Sequence, residues 1–453
     1  MTASTDLETL RSRVRDLMPQ TKSDLAEMVA FKSVFDPAGE PPPDCDAMVD
    51  WLIAAFTDLG VHDVEAHVTS DGSKAVTGHI PGPPDAPTVL LYFHHDVQPP
   101  MDDGGEWKSP AWTLTERDGR WYGRGAADCK GNIAVHLTAL RALAGGASVN
   151  IKIIGEGSEE QGSGGIENFV PEHPELLEAD AILICDSGNC AVGQPTLTTS
   201  LRGIANVVVS VETLKSAMHS GMFGGAAPDA LAALIAMLAS LRDEHGNTTV
   251  RGLDSTQEFD GIDYPAENFR RDATVLDGVD IVGSGRISDM VWARPAATVL
   301  GIDCSPVAGS SAAVTPRARA RINLRVPPGM DAKTAQDALI AHLEEVAPWH
   351  VKVSIEREAI GAPFSGSTEG PAFDALVDAM GTAYGREVVM QGQGGSIPLC
   401  TVLQETFPDA EIMLLGVEEP SCLIHAPNES VDPSEIENLA LAEALFLRDY
   451  VKK

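Results

Sequence analysis

Four short apolar runs in this 453-residue chain each end in polar residues suited to holding a cation. They read VLLYFHHDVQPP, NIKIIGEGSEE, AILICDSGN and IMLLGVEEPSCLIHAPNE. Just past these runs stand His94 and Asp96, Glu159 and Glu160, Asp186, and His425. Asp128, in YGRGAADCKGN, sits immediately before a helical stretch and can join them. Imidazoles and carboxylates gathered in one place are a donor set for Zn2+, Mn2+ or Co2+. A carboxylate left over beside such ions can serve as a general base. Taken singly, each residue reads as a turn residue, a helix cap or a solvated pair. Five such terminations in one chain are hard to explain separately.

Period two sorts the first cluster. In extended chain His94 and Asp96 point to one side and His95 to the other. A ligating imidazole usually has its second nitrogen held by a carboxylate. His94 therefore reads as a ligand, Asp96 as its orienter and His95 as a structural histidine. Cys129 and Cys185 adjoin ligand positions; strand neighbours point apart, so both read as small packing residues.

The elements that must position these groups follow from the pattern. Thr88–Phe93, Val149–Ile154, Ala181–Cys185 and Ile412–Leu415 are short, β-rich and almost continuously apolar, which suits strands buried on both faces. Helical stretches alternate with them, notably Asn132–Leu143, so the fold class is α/β, with a mainly parallel mixed sheet flanked by helices. In such sheets the ligand crevice lies at the carboxyl ends of the strands, where these polar residues fall. Further helices are read from Thr5 to about Phe35, with Thr5-x-x-Glu8 as a capping box, and over Asp44–Leu59. The last helix has Asp432 as N-cap, Pro433 first and Glu435 at the third position.

The middle of the chain differs. Ile204–Val211, Arg317–Val326 and His350–Ile355 read as half-exposed strands, with helices at Asp229–Leu241 and Ala332–Val346. Residues 245–298 are polar and carry no clear assignment. The first four ligand candidates follow one another at short intervals, whereas His425 comes only after a far longer stretch. An inserted α+β domain over 202–363 accounts for that stretch. The catalytic domain is then discontinuous, 1–201 and 364–453, and the insert is a lid able to close over a substrate.

Composition narrows the function. The 32 Lys and Arg face 66 Asp and Glu, a formal charge of −34, which argues against nucleic acid and anionic membrane partners. The longest uncharged apolar stretch, Ala230–Leu241, is too short to span a bilayer. The start, MTASTDLETLRSRV, has neither a basic region nor an apolar run, so no signal peptide is expected. The 7 cysteines are odd in number and form no C-x-x-C, which suggests reduced thiols and a cytoplasmic location. Gly155-x-Gly157-x-x-Glu160 fails as a dinucleotide fingerprint, because Glu160 would repel a pyrophosphate. No Walker A, His-Glu-x-x-His or Gly-x-Ser-x-Gly sequence occurs.

HHDVQP, GRGAADCKG, GEGSEEQGS, CDSGN and HAPNE together resemble the five signature segments of a di-metal metallopeptidase family. Its members include aminoacylase, glutamate carboxypeptidase and carnosinase, and it has a di-zinc aminopeptidase-like catalytic domain. YFHHDVQP, MHSG at 218–221, LRVPPGM at 324–330 and GGSIP at 394–398 most resemble the cytosolic, carnosinase-like dipeptidase branch. The long 245–298 interruption fits that branch's enlarged lid and dimerisation domain. Ala313, Phe93 and His95 depart from the branch's usual residues and bear on pocket shape.

The resemblance implies two divalent ions per subunit, Zn2+ or Mn2+, with Co2+ also compatible. Asp128 would bridge them, His94 and Asp186 would complete one, and Glu160 and His425 the other. A water between the ions would lose its proton to Glu159 as general base and attack an amide carbonyl. Asp96 would orient His94, and the Asp128–Cys129 peptide would be cis. His219 would reach the partner subunit's active site and stabilise the oxyanion. Arg325, Gly395 and Ser396 would hold a free substrate carboxylate. The implied protein is a homodimer, joined through the lid, that hydrolyses dipeptides or short peptides with a free carboxyl end. The alternatives are a same-fold deacylase of N-acyl amino acids and, more remotely, a non-catalytic metal-binding relative.

Overall fold

The computed structural model describes residues 6–36, 43–102, 104–366, 368–395 and 397–451. The chain divides into two compact units. The first takes the chain up to Thr199, Gly366–Gln391 and everything from Ile397 onward. The second takes Ser200–Ser365 and the segment that begins at Gly392.

In the first unit, four strands lie parallel at the centre of a mixed sheet. Their order is Asn150–Glu156, Thr88–His94, Ala181–Cys185, Glu411–Leu415. All five residues of Ala181–Cys185 are buried, since helices cover both faces of a parallel sheet. Antiparallel strands Lys74–Ile80 and His62–Val68 extend one side, and Thr196–Leu201 pairs with the Glu411–Leu415 strand on the other. Helices Leu7–Ala30, Lys130–Leu143, Pro371–Tyr384 and Pro433–Asp449 pack on one another, and Gly164–Glu172 packs on Pro398–Thr406. Because the central strands run the same way, the residues after their carboxyl ends emerge at one rim.

Two helix boundaries differ from the sequence reading, and each has a local cause. The first helix is capped by Asp6, whose carboxylate accepts from Thr9 N–H at 2.8 Å; Thr5 lies outside the described residues. Such a cap stabilises a helix by ~1 kcal/mol. The same helix stops at Ala30 rather than near Phe35, because the chain beyond it is bound elsewhere. Ser33 Oγ donates to His95 O at 2.7 Å, and Val97 N donates to Ser33 O at 3.0 Å. The freed carbonyls of Met28 and Phe31 accept from the buried Lys130 ammonium at 2.9 and 2.8 Å. At the last helix Asp432 caps Ser434 N–H, whereas the Glu435 carboxylate turns inward to Asn189, Gly193 N and Tyr384 Oη.

The second unit is an antiparallel sheet in the order Ala296–Asp303, Arg317–Val326, Gly203–Glu212, Lys352–Gly361. Ala205, Val207, Val209 and Val211 lie on one face of their strand and pack with Leu234, Met237, Leu339 and Leu343 of helices Ala230–Ala239 and Ala332–Val346. The outward arginines of RARARINLRV pair across the wet face: Arg317 with Glu212, Arg319 with Asp303, Arg321 with Glu358. The stretch left unassigned in the sequence folds around Trp292, which meets Phe259 edge-on at 4.9 Å and stacks on Tyr264 at 5.6 Å. Asp289 anchors it through Arg286, Arg294 and Phe259 N.

Candidate active site

His94 is the last residue of its strand and lies in register with Glu156 of the neighbouring strand. Asp186 directly follows Cys185, the last residue of the adjacent strand on the other side. Glu159 and Glu160 occupy a single helical turn after Asn150–Glu156, and His425 lies in the loop after Glu411–Leu415. Asp128 arrives from outside the sheet, one residue before the Lys130–Leu143 helix N-cap Cys129, across a cis Asp128–Cys129 peptide.

These side chains meet. Asp128 Oδ1 lies 2.9 Å from His94 Nε2, and Asp128 Oδ2 lies 3.0 Å from His425 Nε2. Asp186 Oδ1 is 3.2 Å from the same His94 nitrogen, and Glu160 Oε2 is 3.0 Å from the same His425 nitrogen. One carboxylate thus spans two groups, each made of one imidazole and one further carboxylate. This donor set fits two divalent ions sharing Asp128.

The electrostatics agree with a place built for positive charge. Burial alone would depress His94, but Cys129, Asp128 and Asp186 around it hold it well above the ordinary histidine value. Bonds to Asp128 and Glu160 push His425 up to about 10. Burial, aided by Asp128 and Glu160, raises Asp186 to about 6 despite its bond to His94. Burial and the nearby Asp186 charge hold Glu159 well above the usual carboxylate range. A carboxylate so placed binds a proton readily, as a general base must.

Asp96 does more than orient one ring. It stands 3.3 Å from His94 Nδ1, whose closer partner is the Asp96 backbone oxygen at 3.1 Å. Its two carboxylate oxygens accept from Glu159 N–H and Glu160 N–H, each at 3.1 Å. It therefore ties the His94 loop to the Glu159 turn. His95 faces away and is buried, with Nε2 3.1 Å from Lys74 O, and burial pushes it down to about 4.

Two sequence readings change here. Cys129 is not on a strand; its Sγ lies within ligand range of His94 and Asp186 and donates to Cys185 O at 3.1 Å. Alternation therefore does not turn it away from the site. Phe93 does not shape the pocket. It stacks on Phe56 at 5.5 Å inside the core, and a Cβ at Gly155 would fall 2.5 Å from its ring. Gly155 is thus required by Phe93.

Residues that the sequence reading did not single out complete the site. Gln98, from HHDVQP, holds Glu160: its backbone N–H donates to Oε1 at 3.2 Å and its amide to Oε2 at 2.9 Å. Glu429, from HAPNE, is fully buried. Its Oε1 accepts from Ala127 N and Asp128 N at 3.1 Å, and its Oε2 from Arg124 Nη1 at 2.6 Å and Gly125 N at 3.0 Å. Their membership of the same short motifs as the ligands was the available signal. His425 itself has a φ of +61, uncommon for a residue with a side chain. Its loop is clamped by Arg120 with Glu419 and Cys422, and by Asn428 with Glu106 O and Lys108 N.

The remaining candidates lie in the second unit. His219 is exposed at the end of a two-residue strand, paired with Ala313. Arg325 is half-buried on the Arg317–Val326 strand, opposite Ile204. Arg202, which sequence reading passed over, lies nearby. Burial and the Arg325 charge push its guanidinium down to about 10, and its Nε and Nη1 are buried without a hydrogen-bond partner among the described residues. A Cβ at Gly394 would stand 2.9 Å from Arg202 Nη2, so GGSIP approaches this guanidinium with bare backbone. Gly395 is described and half-buried, whereas Ser396 lies outside the described residues.

The family model for Peptidase family M20/M25/M40 matches residues 90–449. A cysteinylglycine-S-conjugate dipeptidase of Corynebacterium striatum is 47% identical over 408 residues, covering 89% of each chain. A beta-Ala-His dipeptidase of Rattus norvegicus is 27% identical over 452 residues, covering 95% of this chain and 88% of its own. Among solved structures, human carnosine dipeptidase 1 superposes with a TM-score of 0.77 at 25% identity, covering 98% of both chains. An M20 metallo-carboxypeptidase of Sulfolobus solfataricus shares the fold, with a TM-score of 0.79 at 23% identity over 95% of this chain and 99% of its own.

Proposed function

This chain belongs to peptidase family M20/M25/M40, and from that premise we propose that it is a di-metal dipeptidase cleaving dipeptides with a free carboxyl end. The observation that carries the reading is the division of Asp128 between His94 on one oxygen and His425 on the other. His94, Asp186 and Asp128 would hold one divalent ion, and His425, Glu160 and Asp128 the second. Imidazole and carboxylate donors suit Zn2+ and Mn2+. Such ions, when bound, polarise the amide carbonyl and acidify water.

The chain's own residues supply the rest. Glu159 accepts the proton of the attacking water at its carboxylate and returns it to the leaving amine. Asp96 fixes the Glu159 and Glu160 backbone, so the base and a ligand move as one piece. Arg325 and Arg202 present two cations without a carboxylate partner among the described residues, which suits the free carboxylate of a dipeptide. Gly395 and Ser396 would add backbone and hydroxyl donors to it. His219 would stabilise the oxyanion.

The second unit also offers a surface for pairing. Its edge strand Ala296–Asp303 exposes Val299, Leu300 and Ile302, and unprotected apolar edge strands are templates for association. This supports a homodimer through the inserted unit, with His219 serving the partner subunit. All seven cysteines are unpaired, which supports a cytoplasmic location. Among the described residues no helix is long and apolar enough to cross a membrane.

The 47% identical relative makes cysteinylglycine and its S-conjugates the first substrates to assay. Purified protein stripped with EDTA and reloaded with Zn2+ or Mn2+ should cleave Cys-Gly, S-benzyl-Cys-Gly or β-Ala-His. Faster turnover of N-acetyl or N-succinyl amino acids would overturn the dipeptidase reading in favour of a deacylase.

A further inference from the structure

Beside Asp128 and Asp186 lies a carboxylate that the mechanism above does not use. Glu418, in the loop between the Glu411–Leu415 strand and His425, is 8% exposed. Its Oε1 accepts from Asn132 Nδ2 at 2.7 Å, while Asn132 Oδ1 accepts from Val417 N at 3.0 Å. Its Oε2 is buried and has no hydrogen-bond partner among the described residues. The Glu418 carboxylate belongs to a group in which one oxygen each of Asp128, Asp186 and Glu418 lie within 4.8 Å of one another.

The backbone is shaped to keep it there. Gly188 bridges to Glu418, and Asn189 N donates to Glu418 O at 2.8 Å, which ties the loop to the Asp186 segment. A Cβ at Gly416 would fall 2.3 Å from Glu418 Oε2 and 1.9 Å from Ser187 O, so only glycine leaves room. Three buried carboxylates gathered this closely, one of them with an oxygen that no donor reaches among the described residues, are unfavourable unless positive charge enters the space between.

We propose that Glu418 is a further residue of the metal centre, an additional buried negative charge that sets how tightly the centre holds its ions. The proposal rests on the di-metal reading above. Glu418 raises affinity from the side of Asp128 and Asp186, and in the metal-free protein the same charge is a liability. Its removal should therefore act oppositely on the two forms: weaker metal binding, with no loss of stability in the empty form.

The test is Zn2+ titration of metal-free wild type, Glu418→Gln and Glu418→Ser against a chromophoric chelator, with thermal unfolding of each metal-free protein. Wild type should bind two ions. Both variants should bind at least one of them tenfold or more weakly, the range for removing an outer-sphere partner of a metal site. Their metal-free unfolding midpoints should equal or exceed that of wild type. Unchanged affinity for both ions would overturn the proposal while leaving the di-metal reading intact. So would variants that fail to fold or melt lower when empty, because Glu418 would then be structural. Failure of wild type to bind two ions would instead overturn the underlying reading.

Discussion

Glu429 holds Asp128 by its backbone: the Glu429 Oε1 accepts from Asp128 N–H at 3.1 Å, while the Asp128 carboxylate meets both histidines. The neighbouring Ala127 N–H and Gly125 N–H share the same carboxylate, and Arg124 balances its charge. Asp128 is thereby fixed from behind, leaving both of its oxygens free for the site. Glu429→Gln should keep the shape but weaken this grip, lowering metal affinity by roughly 10- to 100-fold. Glu429→Ala should also strand the buried Arg124 and cost about 3–5 kcal/mol of stability. Zn2+ titration and urea unfolding check the two effects, and unaltered Zn2+ affinity in both variants would show that Asp128 needs no such support.

Glu159 should separate chemistry from metal binding. Its side chain makes no hydrogen bond to a proposed ligand among the described residues, and burial, with the Asp186 and Asp128 charges nearby, raises its pKa. Glu159→Gln should bind two ions like wild type and lose roughly 10²- to 10⁴-fold in kcat, the usual contribution of a general base. Metal analysis alongside steady-state kinetics decides this. A variant that retained kcat would remove Glu159 from the mechanism.

The convergence of the proposed ligands was legible because their position obeys a rule of parallel sheets: polar residues just past buried strands share one rim. His94, Asp186, Glu160 and His425 follow that rule, and Asp128 joins them from its place just before a helix. What escaped was contact made through the main chain or across long sequence distance. Glu429 acts on backbone N–H groups some 300 positions away, and no side-chain period encodes that. Cys129 was misplaced because alternation was applied to a residue that lies at a helix N-cap after a cis peptide rather than on a strand. Phe93 adjoins a candidate ligand in sequence, but successive strand residues face opposite ways, and its ring lies against Phe56 in the core. Arg202 gave no signal as an isolated arginine; its weight comes from burial beside Arg325.

The second unit carries its own pH dependence. His342 is buried and uses both ring nitrogens: Nδ1 accepts from Arg251 N–H at 3.1 Å and Nε2 lies 2.9 Å from Ser240 Oγ. Burial, together with the Arg251 charge, holds it below its ordinary 6.5. The unfolded chain therefore takes up this proton before the folded chain does. The associated stability is full above pH 6.5 and is lost as pH falls through the lowered folded value. Wild type should melt lower at pH 5 than at pH 8, and His342→Gln should narrow that difference. An equal difference in both proteins would show that His342 does not titrate with unfolding.

Arg325 tests how substrate is held. If it pairs with the substrate carboxylate, Arg325→Met should raise KM for dipeptides by roughly ten- to hundredfold, the worth of a charge-assisted hydrogen bond. The ion content should stay at two. A dipeptide amide, which lacks the carboxylate, should be cleaved equally poorly by wild type and variant. If the amide were as good a substrate as the free acid, no carboxylate pocket would be at work.

Association and activity should fail together. Leu300 and Ile302 are 55% and 44% exposed on the outer strand of the second unit. A charge at either position opposes burial against a second copy, because an unpaired buried charge costs several kcal/mol. Leu300→Arg and Ile302→Lys should therefore shift the protein from dimer to monomer in light scattering while leaving its melting temperature nearly unchanged, as surface substitutions usually do. If His219 serves the partner's site, the monomers should also lose kcat to the level of His219→Ala, yet still bind two ions. Mixing His219→Ala with an inactive Glu159→Gln subunit would then restore part of the activity, because one of the two sites in the mixed dimer combines an intact Glu159 with an intact His219. Fully active monomers would place the oxyanion donor within a single chain.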